Sequence, residues 1–97
     1  MNRKKLLYSV LMEINQDNEP KQDDYELTDE QWGELAQLLK DEGLAKGISV
    51  FYADDIAYAV ILSSAKITLK GIEFLESNSS WAKTYRGVKE VREWFKL

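Results

Sequence analysis

The 97 residues include no cysteine, no histidine and a single proline. Without cysteine there is no disulfide and no thiolate zinc site. Without histidine the commonest metal ligand and the commonest general base are both missing. No apolar run approaches the ~20 residues that a bilayer-spanning helix needs. The opening "MNRKKLLYSVLME" has a basic start and some apolar residues, but Glu13 follows and no small-residue cleavage site appears. These absences predict a cytoplasmic chain with no cofactor, no metal and no membrane contact. With 44% hydrophobic and 31% charged residues the composition is that of a folded globule. Its length fits one domain, which would bury roughly 60–65% of the surface the unfolded chain exposes.

Charge is unevenly spread over a chain of net charge −4. Glu13, Asp17, Glu19, Asp23, Asp24, Glu26, Asp29 and Glu30 face only Lys21 in the span 13–30, while bases dominate 83–96. Arg3, Lys4 and Lys5 form a second basic cluster. An acidic protein has no general attraction for nucleic acid, so any such binding requires a local basic patch.

Periodicity divides the chain. Leu6, Leu7, Val10, Leu11 and Ile14 mark one face of a helix from about Asn2 to Asp17, ending before Pro20. Thr28 and Gln31 have the spacing of a capping box, with Leu27 and Trp32 placed as a hydrophobic staple. Asp29 and Glu30 fall in the first turn, where the helix dipole favours anions. Gly43 and Leu44 supply the stop, which predicts a helix from Asp29 to Glu42. Gly33 inside it costs about 1 kcal/mol relative to alanine and points to close helix packing. After Gly43 the period becomes two. Ile48, Val50 and Tyr52, then Ile56, Tyr58, Val60 and Leu62, predict a β-hairpin around the turn Ala53, Asp54, Asp55. Ser63 and Ser64 break it before a short strand, Ala65 to Ile67.

"AKITLKGIEFLE" then passes from strand to helix. Thr68 is placed to cap a helix starting at Leu69, and Gly71 to let its first turn press on the hairpin. Ser79 or Ser80 would cap a last helix over 79–97, with Trp81, Tyr85, Val88, Val91 and Phe95 on one face. The expected fold is α+β and winged helix-turn-helix-like: a core over 1–78 with one β-hairpin wing, and an added C-terminal helix. A short helix within Lys21–Leu27 would complete the usual three.

"GELAQLLKDEGLAKGISVFYADD" followed by "ITLKGIEFLESNS" resembles the YjcQ family, small winged-helix proteins of Firmicutes and their phages. The resemblance runs from the first helix to about Phe95, and "ITLKGIEFLE" is its most specific part. A looser pattern, here Thr68, Gly71 and Phe74–Leu75, is similar to one after the wing in MarR- and PadR-type regulators. The resemblance implies a winged helix in a bacterium or its prophage and transfers no catalytic residue.

Three function classes can be set against the residues. For DNA binding, the recognition-helix face would be Glu30, Gln31, Glu34, Gln37 and Asp41, and the wing tip Ala53, Asp54 and Asp55. Both bring like charge to the phosphates that normally supply much of the affinity. The bases Lys83, Arg86, Lys89, Arg92 and Lys96 spread over about half of a helical cylinder and read as a solvated face. For protein contacts, the C-terminal helix offers Trp81, Tyr85, Val88, Val91 and Phe95, although the plainer reading of that seam is that it closes the domain's own core. Trp94 falls about 100° off that seam, where a tryptophan suits an interface or self-association. For catalysis, Asp23–Asp24 and Asp54–Asp55 lack the spaced acids of a calcium loop and the glycines of a phosphate loop. Tyr8, Tyr25, Tyr52 and Tyr58 have rings that can stack on a ligand, though the last two fit the hairpin pattern as packing. The sequence therefore predicts a non-catalytic module that acts through an unidentified protein partner or a second copy. A DNA-binding regulator is the alternative.

Overall fold

The computed structural model describes residues 3–95, Tyr58 by its backbone alone. Helix α1 (Arg3–Asn15) carries the expected apolar face; Asn2, its expected start, lies outside the described residues. Its burial is broader than one face, because the six consecutive residues Leu6 to Leu11 are all buried. A helix covered on more than one side is a central element rather than an amphipathic lid. The turn after it takes Asp17 to φ 61, and the chain continues to α2 (Gln22–Tyr25), within the stretch expected to hold a short helix.

Helix α3 (Asp29–Asp41) is set by its ends. The Thr28 hydroxyl accepts from the Gln31 N–H at 3.1 Å while the Gln31 side-chain Oε1 accepts from the Thr28 N–H at 3.0 Å. Two otherwise orphaned donors are thus satisfied by one pair of side chains. At the other end Gly43 takes φ +69, a conformation that costs a residue with a Cβ about 1–2 kcal/mol. Its N–H reaches the Lys40 carbonyl and that of Leu44 the Leu39 carbonyl, the paired bonds of a Schellman stop. Trp32, Leu35, Ala36 and Leu39 face the core.

Four strands follow. β1 (Ala45–Lys46) pairs antiparallel with β4 (Lys66–Ile67), and β2 (Ser49–Ala53) with β3 (Ile56–Ile61). Read in sequence, they form one interrupted ribbon; β1 has too few residues to show a period. Asp54 and Asp55 close the hairpin with φ of 51 and 68, positive at both turn positions as a two-residue type I′ turn requires. The predicted alternation on β3 breaks midway. Phe51 pairs with Ala59 but Tyr52 with Ala57, which leaves Tyr58 as an extra residue in a bulge. The bulge exchanges faces, so Ala57 is buried and Ile56, expected inside, is 56% exposed. Gly33 now has its reason. A Cβ there would collide with that of Ala57, so its absence lets α3 lie directly on β3.

Thr68 caps α4 (Leu69–Ser77) as expected, accepting from the Gly71 N–H at 3.0 Å and also donating to the Gly43 carbonyl at 2.6 Å. Gly71 is buried, but what it presses on is not the hairpin. A Cβ there would meet the Leu44 carbonyl and Ile67, which lie beside β1 and in β4.

The C-terminal stretch departs most from expectation. In place of one helix over 79–97 there are three short pieces: a 3₁₀ turn (Ser79–Trp81), α5 (Ala82–Gly87) and α6 (Val91–Trp94). No serine caps them; Asn78 precedes the turn, and its side chain donates to the Phe74 carbonyl instead. Val88 and Glu90 are extended, and the Glu93 carboxylate accepts from the Lys89 N–H across the break. On an unbroken helix Tyr85 and Trp94, nine residues apart, would point about 180° from each other. Here their ring centroids are 5.1 Å apart. Trp94 is not on an outer face: it is 1% exposed, packs on Tyr8 and Trp81, and donates from Nε1 to the Lys5 carbonyl at 2.9 Å. Lys5 Nζ lies 4.8 Å from the same ring. Lys96, the last base of the expected stripe, is outside the described residues.

Candidate functional site

The exposed side of α3 follows from its buried side. With Trp32, Leu35, Ala36 and Leu39 turned inward, a 100° step per residue sends Glu30, Gln31, Glu34, Gln37 and Asp41 outward. The hairpin then rises beside them, because Gly33 lets β3 approach. Between α3, the hairpin and the first turn of α1 runs a groove of about 560 Å³, open to solvent along one side. All five outward residues line it, and the hairpin adds Tyr52 and Asp55. Asp54 and Ala53 are exposed at the wing tip but do not line the groove.

Sequence periodicity missed the rest. Leu6, Leu27, Leu35, Leu38 and Ala57 make an apolar floor, and Arg3 reaches the rim from α1. Leu27 and Leu38 are half-buried, so part of the floor is open to what enters. Their partnership is tertiary, and only the approach of hairpin to helix reveals it. Tyr52, read from the pattern as packing, is 47% exposed, and its hydroxyl donates to Gln37 Oε1 at 2.7 Å. Gln37 Nε2 in turn donates to Asp41 Oδ1 at 2.8 Å. This chain ties hairpin to helix and fixes one wall of the groove. Glu30, Glu34, Asp41 and Asp55 have no ion-pair partner among the described residues, and neither has Arg3. The described residues hold no group of three or more acids close enough to share a metal ion.

The aromatic residues assigned to an interaction helix are gathered elsewhere and face inward. Trp81, Val88, Val91 and Phe95 are half-buried against the core, while Tyr85 and Trp94 are buried in it. Around Ser9, which is fully buried, a polar chain links three helices. The Ser9 hydroxyl bonds to Tyr25 Oη at 3.0 Å and to Tyr85 Oη at 2.9 Å, and Tyr85 donates to Glu13 Oε2 at 2.7 Å. Burial raises the phenols of both Tyr25 and Tyr85 well above their ordinary value. Each hydroxyl has a partner, so the cluster is a satisfied internal network.

A family model described as "YjcQ protein" matches residues 4–94. The chain belongs to the YjcQ family. A relative from Bacillus subtilis (strain 168), "Uncharacterized protein YjcQ", is 36% identical over 97 residues, covering 99% of this chain and 100% of the relative. No solved structure matches the chain. The family match spans the groove residues other than Arg3 and the C-terminal aromatic residues as far as Trp94. YjcQ membership names no reaction or ligand, and function has to be argued from the geometry. No helix among the described residues is long and apolar enough to cross a membrane.

Proposed function

We propose that the chain is a winged-helix-type, non-catalytic module of the bacterial cytoplasm whose α3–hairpin face engages protein. The order α1, α2, α3 and then a ribbon with a projecting hairpin supports the winged-helix part, with α3 where a recognition helix would lie. The Bacillus subtilis relative supports a bacterial setting. One observation carries the choice of partner class. Glu30, Glu34, Asp41 and Asp55 line the helix–hairpin groove without ion pairs among the described residues, and Arg3 is the base beside them. DNA would bring phosphate charge against those carboxylates and forgo the favourable counterion release that only cations provide. Against catalysis stand the lack of histidine and cysteine and the complete burial of Ser9.

The test is duplex binding. The native chain should bind random DNA more weakly than ~10⁻⁴ M near physiological salt. Replacing Glu30, Glu34, Asp54 and Asp55 by lysine should create affinity whose logarithmic salt slope is steeper by about 3–4. Low-micromolar binding by the native chain, falling steeply with salt, overturns the reading in favour of a DNA-binding regulator. One contact favours that alternative: Lys5 sits on Trp94, which brings the basic start of α1 to α6, the helix of Arg92.

A further inference from the structure

The groove has two properties that together narrow what would fill it. Its floor is apolar, and Leu27 and Leu38 are only half-covered there. Its walls carry Glu30, Glu34, Asp41 and Asp55 against Arg3, with no ion pair to any of them among the described residues. We infer that this groove docks a cationic amphipathic segment of another protein, whose apolar side chain rests on the leucine floor while its lysines or arginines meet the acidic walls. This partner class rests on the protein-contact reading above and gives it a chemistry.

Complementary charge selects the occupant. A basic segment relieves the mutual repulsion of the acids, whereas an acidic or neutral one leaves it in place. An apolar anchor gains from covering Leu27 and Leu38, which a purely cationic chain does not. A divalent ion is a poorer fit, because the carboxylates are too dispersed to share one. A second copy of the chain is also a poorer fit. Its bases Lys83, Arg86, Lys89 and Arg92 stand beside Trp81, Tyr85, Val88, Val91 and Trp94, and those apolar groups already pack against its own core. Tyr85 and Trp94 are buried outright, and Trp81, Val88 and Val91 keep only part of their surface free beside the bases.

Geometry sets the size. From Glu30 to Asp41 α3 advances about 16 Å, at ~1.5 Å per residue. A helical partner of about 11 residues or an extended one of about five spans it. The Tyr52–Gln37–Asp41 chain already holds the hairpin wall in place, so docking does not have to order that wall.

The probe is a fluorescent peptide of about 11 leucines and lysines, with the leucines on one helical face, titrated with the full chain and read by anisotropy. Saturable one-to-one binding at about 10–100 µM is expected in ~50 mM salt, weakening severalfold by ~200 mM. A peptide with every leucine replaced by serine should bind about tenfold more weakly, as should the doubly substituted chain Glu30→Lys/Glu34→Lys. Both glutamates are exposed, but Glu30→Lys gives up an anion in the first turn of α3, so that variant should melt somewhat below the wild type while remaining folded at the assay temperature. The partner class is overturned if the leucine–lysine peptide fails to bind or if the serine peptide binds equally. It is equally overturned if the double variant keeps full affinity, or if sedimentation shows a dimer that this variant abolishes. Failure of the peptide with no duplex binding removes only the partner class. Duplex binding by the native chain removes the protein-contact reading beneath it.

Discussion

Helix α3 and the C-terminal stretch from Ser79 to Phe95 are stabilised in opposite ways. α3 has a capping box at one end, a Schellman stop at the other and anions in its first turn. Every one of those devices lies within six residues of the helix end it serves. The C-terminal pieces have no side-chain cap on the first residue of any of them, and α6 is only four residues long. Helices that short are not stable alone, so tertiary packing must hold them. Trp94, Tyr85 and Trp81 close on Tyr8 with ring centroids 5.1–5.9 Å apart, in mostly edge-to-face arrangements. Local chemistry makes the first helix, and long-range contact makes the second region.

The strongest way to break this contrast is to remove the long-range anchor. Trp94→Ala deletes the largest fully buried side chain and leaves the Lys5 carbonyl without its indole donor. Large aromatic-to-alanine changes in cores cost about 3–5 kcal/mol, and urea melts should show a loss in that range. Amide exchange should speed up through α5 and α6 before α3. Equal exchange in both regions would mean that the C-terminal pieces stand on local structure after all.

Alkaline pH gives the next largest effect. Tyr25 and Tyr85 have folded-state pKa values raised chiefly by burial, above an unfolded value of about 10. The folded chain thus holds these protons more tightly than the unfolded one. The associated stability is complete below pH ~10 and is lost as pH rises beyond it. Each tyrosine should cost ~1.4 kcal/mol per pH unit there, hence about 2–3 kcal/mol for the pair near pH 11. Denaturant melts at both pH values check this. Tyr85→Phe should remove its own share of the pH-dependent loss and leave that of Tyr25 and of Tyr8, whose phenol burial also raises, whatever it does to stability at neutral pH.

How much of this was legible follows from the same contrast. Thr28, Gln31, Gly43 and Thr68 as the cap of α4 act on backbone groups a few residues away, so those roles can be read from spacing alone; the second bond of Thr68, to the Gly43 carbonyl, cannot. The outward residues of α3 were readable for the same reason. The burial of Trp94 was not, because a helical wheel extended through Gly87–Glu90 assigns it the wrong direction. The exposure of Ile56 was hidden by a one-residue bulge that exchanges the two faces of β3. The groove floor needed Leu6, Leu27, Leu38 and Ala57 to be brought together from α1, the loop before α3, α3 and β3, which no period encodes.

Gly71 stands between the two kinds of region. The Thr68–Gly71 spacing is a local signal, yet the space Gly71 leaves is filled by the Leu44 carbonyl and Ile67. Backbone cannot yield as a flexible side chain can. Gly71→Ala should therefore cost about 1–3 kcal/mol through overpacking, even though alanine is the better helix former. A thermal melt at or above the wild-type temperature would show that β1 and α4 can separate without penalty.

The smallest predicted effect gives the most direct comparison, because it makes the same kind of substitution in both regions. Thr28→Ala removes the hydroxyl that accepts from the Gln31 N–H and leaves the reciprocal Gln31 contact without its counterpart. Cap losses of this type cost about 1 kcal/mol. Ser80→Ala changes an exposed side chain that caps nothing, although its position before an apolar run reads as a cap. Its cost should fall within about 0.5 kcal/mol of zero, as for other surface substitutions. Combining them should give simple addition, since the residues share no hydrogen-bond partner. Urea melts of the two single variants and the double variant resolve the difference. If Ser80→Ala costs as much as Thr28→Ala, a serine cap forms in solution at the start of the C-terminal stretch. That stretch would then be specified locally, like α3, and the two regions would differ only in length.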